Sequence, residues 1–128
     1  MAWWHNEVKR LKKYESSKDL YKSRMASRLL NMIWASCAEG LWNYVQQGDM
    51  ETAINLTELW LYIMPEQLWS NFTAARVYAI ENDKKNTIKH LEKSMALGLK
   101  PTQQMVDNPN FEFIKETDTF LSLLKGVK

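Results

Sequence analysis

Two histidines and one cysteine are the side chains of this 128-residue sequence best suited to nucleophilic or metal chemistry. His5 and His90 fall in different predicted helices, and neither has sequence neighbours typical of a metal pair or a catalytic triad. Cys37 lies on an apolar helical stripe, which predicts a buried and unreactive thiol rather than a nucleophile. His90 stands beside Lys89 and Glu92, so we expect its ring on a solvated face.

Larger chemical motifs do not compensate for these isolated residues. The sequence has no Gly-rich phosphate loop and no cluster of cysteines. Asn55-Leu-Thr57 and Asn71-Phe-Thr73 match the N-glycosylation triplet, but both fall inside predicted helices, and such triplets often arise by chance. We therefore expect no enzyme, no cofactor and no metal, and a function based on binding.

The composition predicts a single all-α domain. Six Trp and seven Met supply apolar volume for a core, and only four Gly and three Pro interrupt the chain. No apolar run approaches the roughly 20 residues of a membrane span, and the first residues lack a signal-peptide pattern. The single Cys37 favours a reducing compartment such as the cytoplasm. The periplasm is also compatible with the sequence if further residues precede Met1.

Hydrophobic periodicity predicts a series of helices joined by short turns. The predicted helices cover 3–15, 18–47, 50–63, 66–81, 84–97 and about 117–125, and 18–47 is either one helix or two joined near Asn31. Ser16 or Ser17 is expected to cap the second helix, with Asp19 in its first turn.

Three breaks separate the later helices. Gly48-Asp49 is expected to end one helix and cap the next, and Asn82-Asp83 is expected to form a similar turn. Pro65 is expected to stop the helix before it. Thr117-Asp118 is expected to cap the last helix.

The sequence also repeats itself at a fixed distance. A shift of 34 residues aligns Tyr44 with Tyr78 and Asp49 with Asp83, and it aligns Leu41 with Ala75. This period and its pattern of small and large residues resemble the tetratricopeptide repeat family. The matching positions are Leu41, Tyr44, Gly48, Asp49, Ala53 and Pro65 in the first unit, and Ala74, Ala75, Tyr78, Leu91 and Ser94 in the second.

The resemblance implies a short right-handed superhelical stack of antiparallel helix hairpins. It divides a single domain into an N-terminal helical lead-in over 1–33, two hairpins over 34–100 and a C-terminal capping segment over 101–128. The tail resembles the closing segment that follows terminal repeats in bacterial members of the family. The sequence departs from the family pattern at Cys37, Trp60, Asn71 and Thr87, and no Pro follows the second unit at the position equivalent to Pro65.

Members of this family bind peptides or protein surfaces in a concave groove lined by the first helix of each repeat. Position by position, the groove would be lined by Ala35, Ala38, Trp42 and Val45 in the first unit, and by Trp69, Phe72, Arg76 and Ala79 in the second. Tryptophan, phenylalanine and arginine supply large area and a planar cation for binding. The predicted partner-binding residues are Trp42, Val45, Trp69, Phe72 and Arg76. The alternative is that the N-terminal helices fold over these aromatic side chains and bury them.

Three further interpretations stay open. Two repeats are fewer than the three that usually stand alone, so the chain could be a C-terminal accessory or dimerisation domain of a larger bacterial enzyme such as a hydrolase. Exposed tryptophans would also favour a homodimer. Residues 1–28 carry eight basic and three acidic side chains, which is compatible with a nucleic-acid contact, although a solvated helix face is the commoner explanation.

Overall fold

A computed structural model describes residues 2–127 of the chain. These residues form eight helical segments and no strand, which confirms the predicted all-α class. The segments are α1 (Ala2–Glu15), α2 (Leu20–Gln47), α3 (Met50–Ile63), α4 (Leu68–Ile80), α5 (Lys84–Ala96), α6 (Gln103–Val106), a 3₁₀ helix (Pro109–Ile114) and α7 (Asp118–Lys125).

The helices group into two compact units, one ending at Met64 and the other beginning at Pro65. The predicted organisation as one domain with boundaries at 33/34 and 100/101 stays a prediction. The first unit contains α1 to α3, and both α1 and α3 pack against α2. The second unit contains α4, α5 and the C-terminal segment.

The long α2 is one continuous helix, which decides between the two alternatives left by the sequence. Its N-cap is Asp19, whose carboxylate accepts hydrogen bonds from the N–H groups of Tyr21 and Lys22 at 3.0 and 3.3 Å. The expectation that Ser16 or Ser17 caps this helix was wrong. Ser17 instead accepts a hydrogen bond from the N–H of Asp19 and so orders the cap itself.

The two predicted hairpin turns have the same backbone geometry. Gly48 after α2 and Asn82 after α4 both adopt a left-handed conformation, with φ of 78° and 55°. In each turn the following Asp donates its N–H to a tyrosine carbonyl five residues earlier, at 3.0 Å. The left-handed residue and the Asp cap together reverse the chain within two residues.

The core of the second unit joins the α4–α5 hairpin to the C-terminal segment. Phe72 on α4 packs against Phe111 of the 3₁₀ helix with ring centroids 6.3 Å apart, and Phe111 packs against Phe120 of α7 at 6.5 Å. Leu91 of α5 is fully buried in the same cluster. Thr117 caps α7 by accepting the N–H of Phe120, as predicted.

His90 is buried, with only 9% of its surface exposed, so its expected place on a solvated face was wrong. Asn71 donates through Nδ2 to the carbonyls of Pro65 and Gln67, and its Oδ1 therefore accepts from His90 Nδ1–H at 3.2 Å. The imidazole also stacks on Tyr78, with an interplanar angle of 3°. Lys89 neighbours His90 in sequence but points away from the hairpin because successive helical residues lie 100° apart.

Candidate partner-binding cavity

Helix α4 presents three of the five predicted site residues on one face. Trp69, Phe72 and Arg76 follow the i, i+3, i+7 spacing that places side chains on the same side of a helix. The start of this helix is fixed by Gln67, whose side-chain oxygen accepts the N–H of Ser70 at 2.6 Å. The local sequence therefore holds the three side chains in register.

These side chains open onto a cavity of about 670 Å³. One wall comes from α4 and the other from the segment that runs through α6 to the start of the 3₁₀ helix. The lining residues are Trp69, Phe72, Thr73 and Arg76 on the first wall and Thr102, Gln104, Met105, Asp107, Asn108 and Pro109 on the second.

The aromatic part of the cavity combines an exposed ring with a buried one. Trp69 is 52% exposed, whereas Phe72 is 5% exposed. Their rings meet edge to face, with centroids 6.3 Å apart and an interplanar angle of 81°. Because Phe72 is itself held by Phe111, the Trp69 indole rests on a fixed floor.

The polar part of the cavity has charges of both signs. Arg76 is half-buried, and this burial lowers the pKa of its guanidinium, which stays charged at neutral pH. Asp107 lies on the opposite wall, where its carboxylate accepts a hydrogen bond from Gln103 Nε2 at 2.9 Å. A partly desolvated guanidinium gains more from a bound carboxylate or carbonyl than a fully hydrated one would.

Sequence reasoning treated the tail as a hydrophobic plug and missed its contribution to this cavity. Thr102 caps α6 by accepting the N–H of Met105 at 3.3 Å, which places Met105 beside α4. The Thr102 cap and the break at Asn108-Pro109 were the available signals. They predict a short ordered element, but not the helix against which it packs.

The other two predicted site residues, Trp42 and Val45, lie on α2 in the first unit. Both side chains are half-buried. The residues that line the cavity beside α4 belong to the second unit. The structure therefore brings Trp69, Phe72 and Arg76 to one cavity, and it places Trp42 and Val45 on a separate helix.

Residues with nucleophilic or metal-binding potential lie apart. Cys37 is buried on α2, and this burial raises the pKa of its thiol to about 11. Burial, together with the charge of Lys89, lowers the pKa of His90 to about 4. Among residues 2–127, no group of three or more His, Cys, Asp or Glu side chains is placed to hold a metal ion.

The helices were also compared with the requirements of a bilayer and with known proteins. Within the described part of the chain, no helix combines the length and the apolar character needed to cross a membrane. No protein-family model, no curated protein and no solved structure matched the chain.

Proposed function

We propose that this chain is a non-enzymatic protein-interaction module of the tetratricopeptide type, built as a right-handed stack of helix hairpins. It binds a peptide or a segment of another protein. The observation that carries the proposal is the single cavity beside α4, which Trp69, Phe72 and Arg76 line together.

The physical state of these three residues supports binding. Trp69 is an exposed aromatic ring on a rigid floor, so covering it removes apolar area from water without first ordering the ring. Arg76 supplies a planar cation at the same cavity. Tryptophan and arginine are the residue types most enriched where interfaces gain their binding energy.

The cavity also suggests the chemistry of the bound segment. Its volume and aromatic wall suit one large apolar side chain, and Met105 can adjust its shape around that side chain. Arg76 can pair with a carboxylate or a backbone carbonyl next to it. Thr73 and Asn108 can exchange hydrogen bonds with the peptide backbone.

The correspondence between the two hairpins supports the repeat interpretation. Residues 34 positions apart are buried in pairs, as seen for Leu41 and Ala75 and for Trp60 and Ser94. The turns at Gly48 and at Asn82 use the same left-handed conformation. Such equivalence is typical of arrays in which one supersecondary unit recurs.

The proposal is tested by selecting peptides from a random display library on the full chain. An enriched peptide is then titrated into the isotopically labelled protein. We expect the Trp69 indole N–H and the backbone amides of Thr73, Met105 and Asn108 to shift most. A library that yields no specific peptide, or shifts confined to α1–α3, would contradict the proposal.

A further inference from the structure

The long helix α2 exposes a row of residues that α1 and α3 leave uncovered. We call this row the α2 stripe; it contains Tyr21, Met25, Leu29, Met32, Ser36 and Gly40, spaced by three or four residues. Tyr21 and Met32 are 77% and 65% exposed, which is unusual for side chains of this size. The spacing places the whole row on one face of the helix.

The C-terminal half of the α2 stripe borders an apolar groove within the first unit. Its volume is about 470 Å³, and large side chains from all three helices of the unit surround it. They include Trp4 of α1, Tyr44 of α2 and Leu56 of α3, next to Leu29 and Met32 of the stripe. Exposed rings and aliphatic groups therefore continue beyond the stripe onto its neighbours.

Gly40 lies in the interior of α2, where glycine costs about 1 kcal/mol relative to alanine. A Cβ built at this position meets no atom of the chain within 4 Å. Packing within the chain therefore does not require a glycine here. A second helix backbone that approached α2 closely would require one.

We propose that a second copy of this chain covers the α2 stripe, with the two α2 helices antiparallel and a two-fold axis passing between Met32 and Ile33. This register is self-complementary in size. Met25 faces Gly40 of the partner subunit, and Leu29 faces Ser36 of the partner subunit, so that each large side chain lies opposite a small one.

The distribution of charge selects the antiparallel direction. Residues 18–28 carry four basic side chains and one acidic side chain, whereas residues 36–51 carry three acidic side chains and no basic one. Antiparallel helices place the basic half of one copy beside the acidic half of the other. A parallel pair would place Arg24 and Arg28 beside their own counterparts, which is unfavourable.

The exposed area is also sufficient for a dimer. At about 200 Å² for a large side chain, the exposed parts of Trp4, Tyr21, Met25, Leu29, Met32 and Tyr44 amount to roughly 600 Å² per copy. The charged flanks add to this value. Stable dimers bury about 800 Å² per partner, whereas isolated apolar patches on monomers rarely exceed about 600 Å².

Sedimentation equilibrium of the full chain tests the proposal directly. Between about 1 and about 200 µM, we expect the mass to rise towards twice the chain mass of 15.1 kDa. Met32→Asp, which would bring two carboxylates together at the axis, should raise the dimer dissociation constant at least about 100-fold. Ser36→Glu serves as a second variant, and both positions are exposed, so the helical circular dichroism should not change.

Leu121→Asp is the matched control, because Leu121 is an exposed leucine on α7 and should leave the dimer intact. The register is tested by disulfide formation in a Cys37→Ala background. Met32→Cys should cross-link to its own counterpart, and Tyr21→Cys should not. A wild-type chain that stays monomeric at about 200 µM would overturn the proposal and leave the stripe to a different partner. Cross-linking of Tyr21→Cys to itself would overturn the antiparallel arrangement, and a dimer insensitive to Met32→Asp would overturn the interface.

Discussion

Asp49 and Asp83, which lie 34 residues apart, make the same capping hydrogen bond at the start of α3 and of α5. In each case Oδ1 accepts the backbone N–H of the residue three positions later, at 3.1 Å. These hydrogen bonds lower the pKa of both carboxyl groups. The two helices therefore begin by the same mechanism, at the period expected from the sequence.

Replacing the second of these caps should cost a definite amount of stability. We expect Asp83→Ala to lower the free energy of unfolding by about 1 kcal/mol, because the first turn of α5 loses the acceptor for the N–H of Asn86. Asp83→Asn keeps an oxygen acceptor and should lose much less. Urea denaturation at pH 7 measures both variants. Equal losses in the two variants would show that the charge, rather than the cap, is responsible.

His90 should make the protein sensitive to mild acid. Its pKa is about 4 in the folded chain, mainly because of burial, and about 6.5 in an unfolded chain. The unfolded state therefore binds a proton first as the pH falls, so stability is complete above about pH 7 and is lost between about pH 6.5 and 4. The corresponding loss is about 3 kcal/mol at the lower end of this range.

The variant His90→Gln separates this effect from the titration of carboxyl groups. Glutamine can still donate a hydrogen bond towards Asn71 but has no proton to gain. Thermal unfolding followed between pH 7 and pH 4.5 should show a flatter profile for the variant than for the wild type. Parallel profiles would mean that His90 is protonated in the folded chain.

Cys37 should react slowly with thiol reagents. Because burial raises its pKa to about 11, very little thiolate exists at pH 8. We expect its reaction with an aromatic disulfide reagent to be at least about 100-fold slower in the native chain than in urea, since only the thiolate attacks. Native and denatured chains that react at similar rates would contradict the buried position on α2.

Gly40 allows the stability of the chain and that of the proposed dimer to be separated. Gly40→Ala should raise the unfolding free energy of the dilute monomer by up to about 1 kcal/mol, because alanine favours the helix and the space around its Cβ is open. The same change should weaken the dimer, because the added methyl group keeps the two helices apart. A variant that dimerises as well as the wild type would show that the helices do not meet at Gly40.

The turns and helix ends were predictable because their causes are local. Gly48 and Asn82 can adopt a left-handed backbone, and Pro65 cannot continue a helix, so short stretches of sequence contain enough information. The N-cap of α2 was misjudged for a related reason. Ser16, Ser17 and Asp19 are all good caps, and the choice among them depends on how the preceding loop closes.

The environments of individual side chains were harder to predict because they depend on packing between distant segments. Tyr44 and Tyr78 are equivalent in the repeat, yet Tyr44 is exposed and Tyr78 is buried against His90. The position 34 residues before His90 holds Leu56, which borders a groove instead. The same limit applies to the cavity, since no pattern in the sequence links Met105 to Trp69.

The most direct test of the account is the affinity of a library-selected peptide for the wild type and for three single variants, measured by calorimetry. We expect Trp69→Ala to raise the dissociation constant at least about 30-fold and Arg76→Gln about 10-fold, as for residues at the centre of an interface. Trp3→Ala, which removes an exposed tryptophan from α1, should change it less than about twofold. Unchanged affinity in Trp69→Ala, with its helical signal intact, would contradict the assignment of the cavity as the binding site.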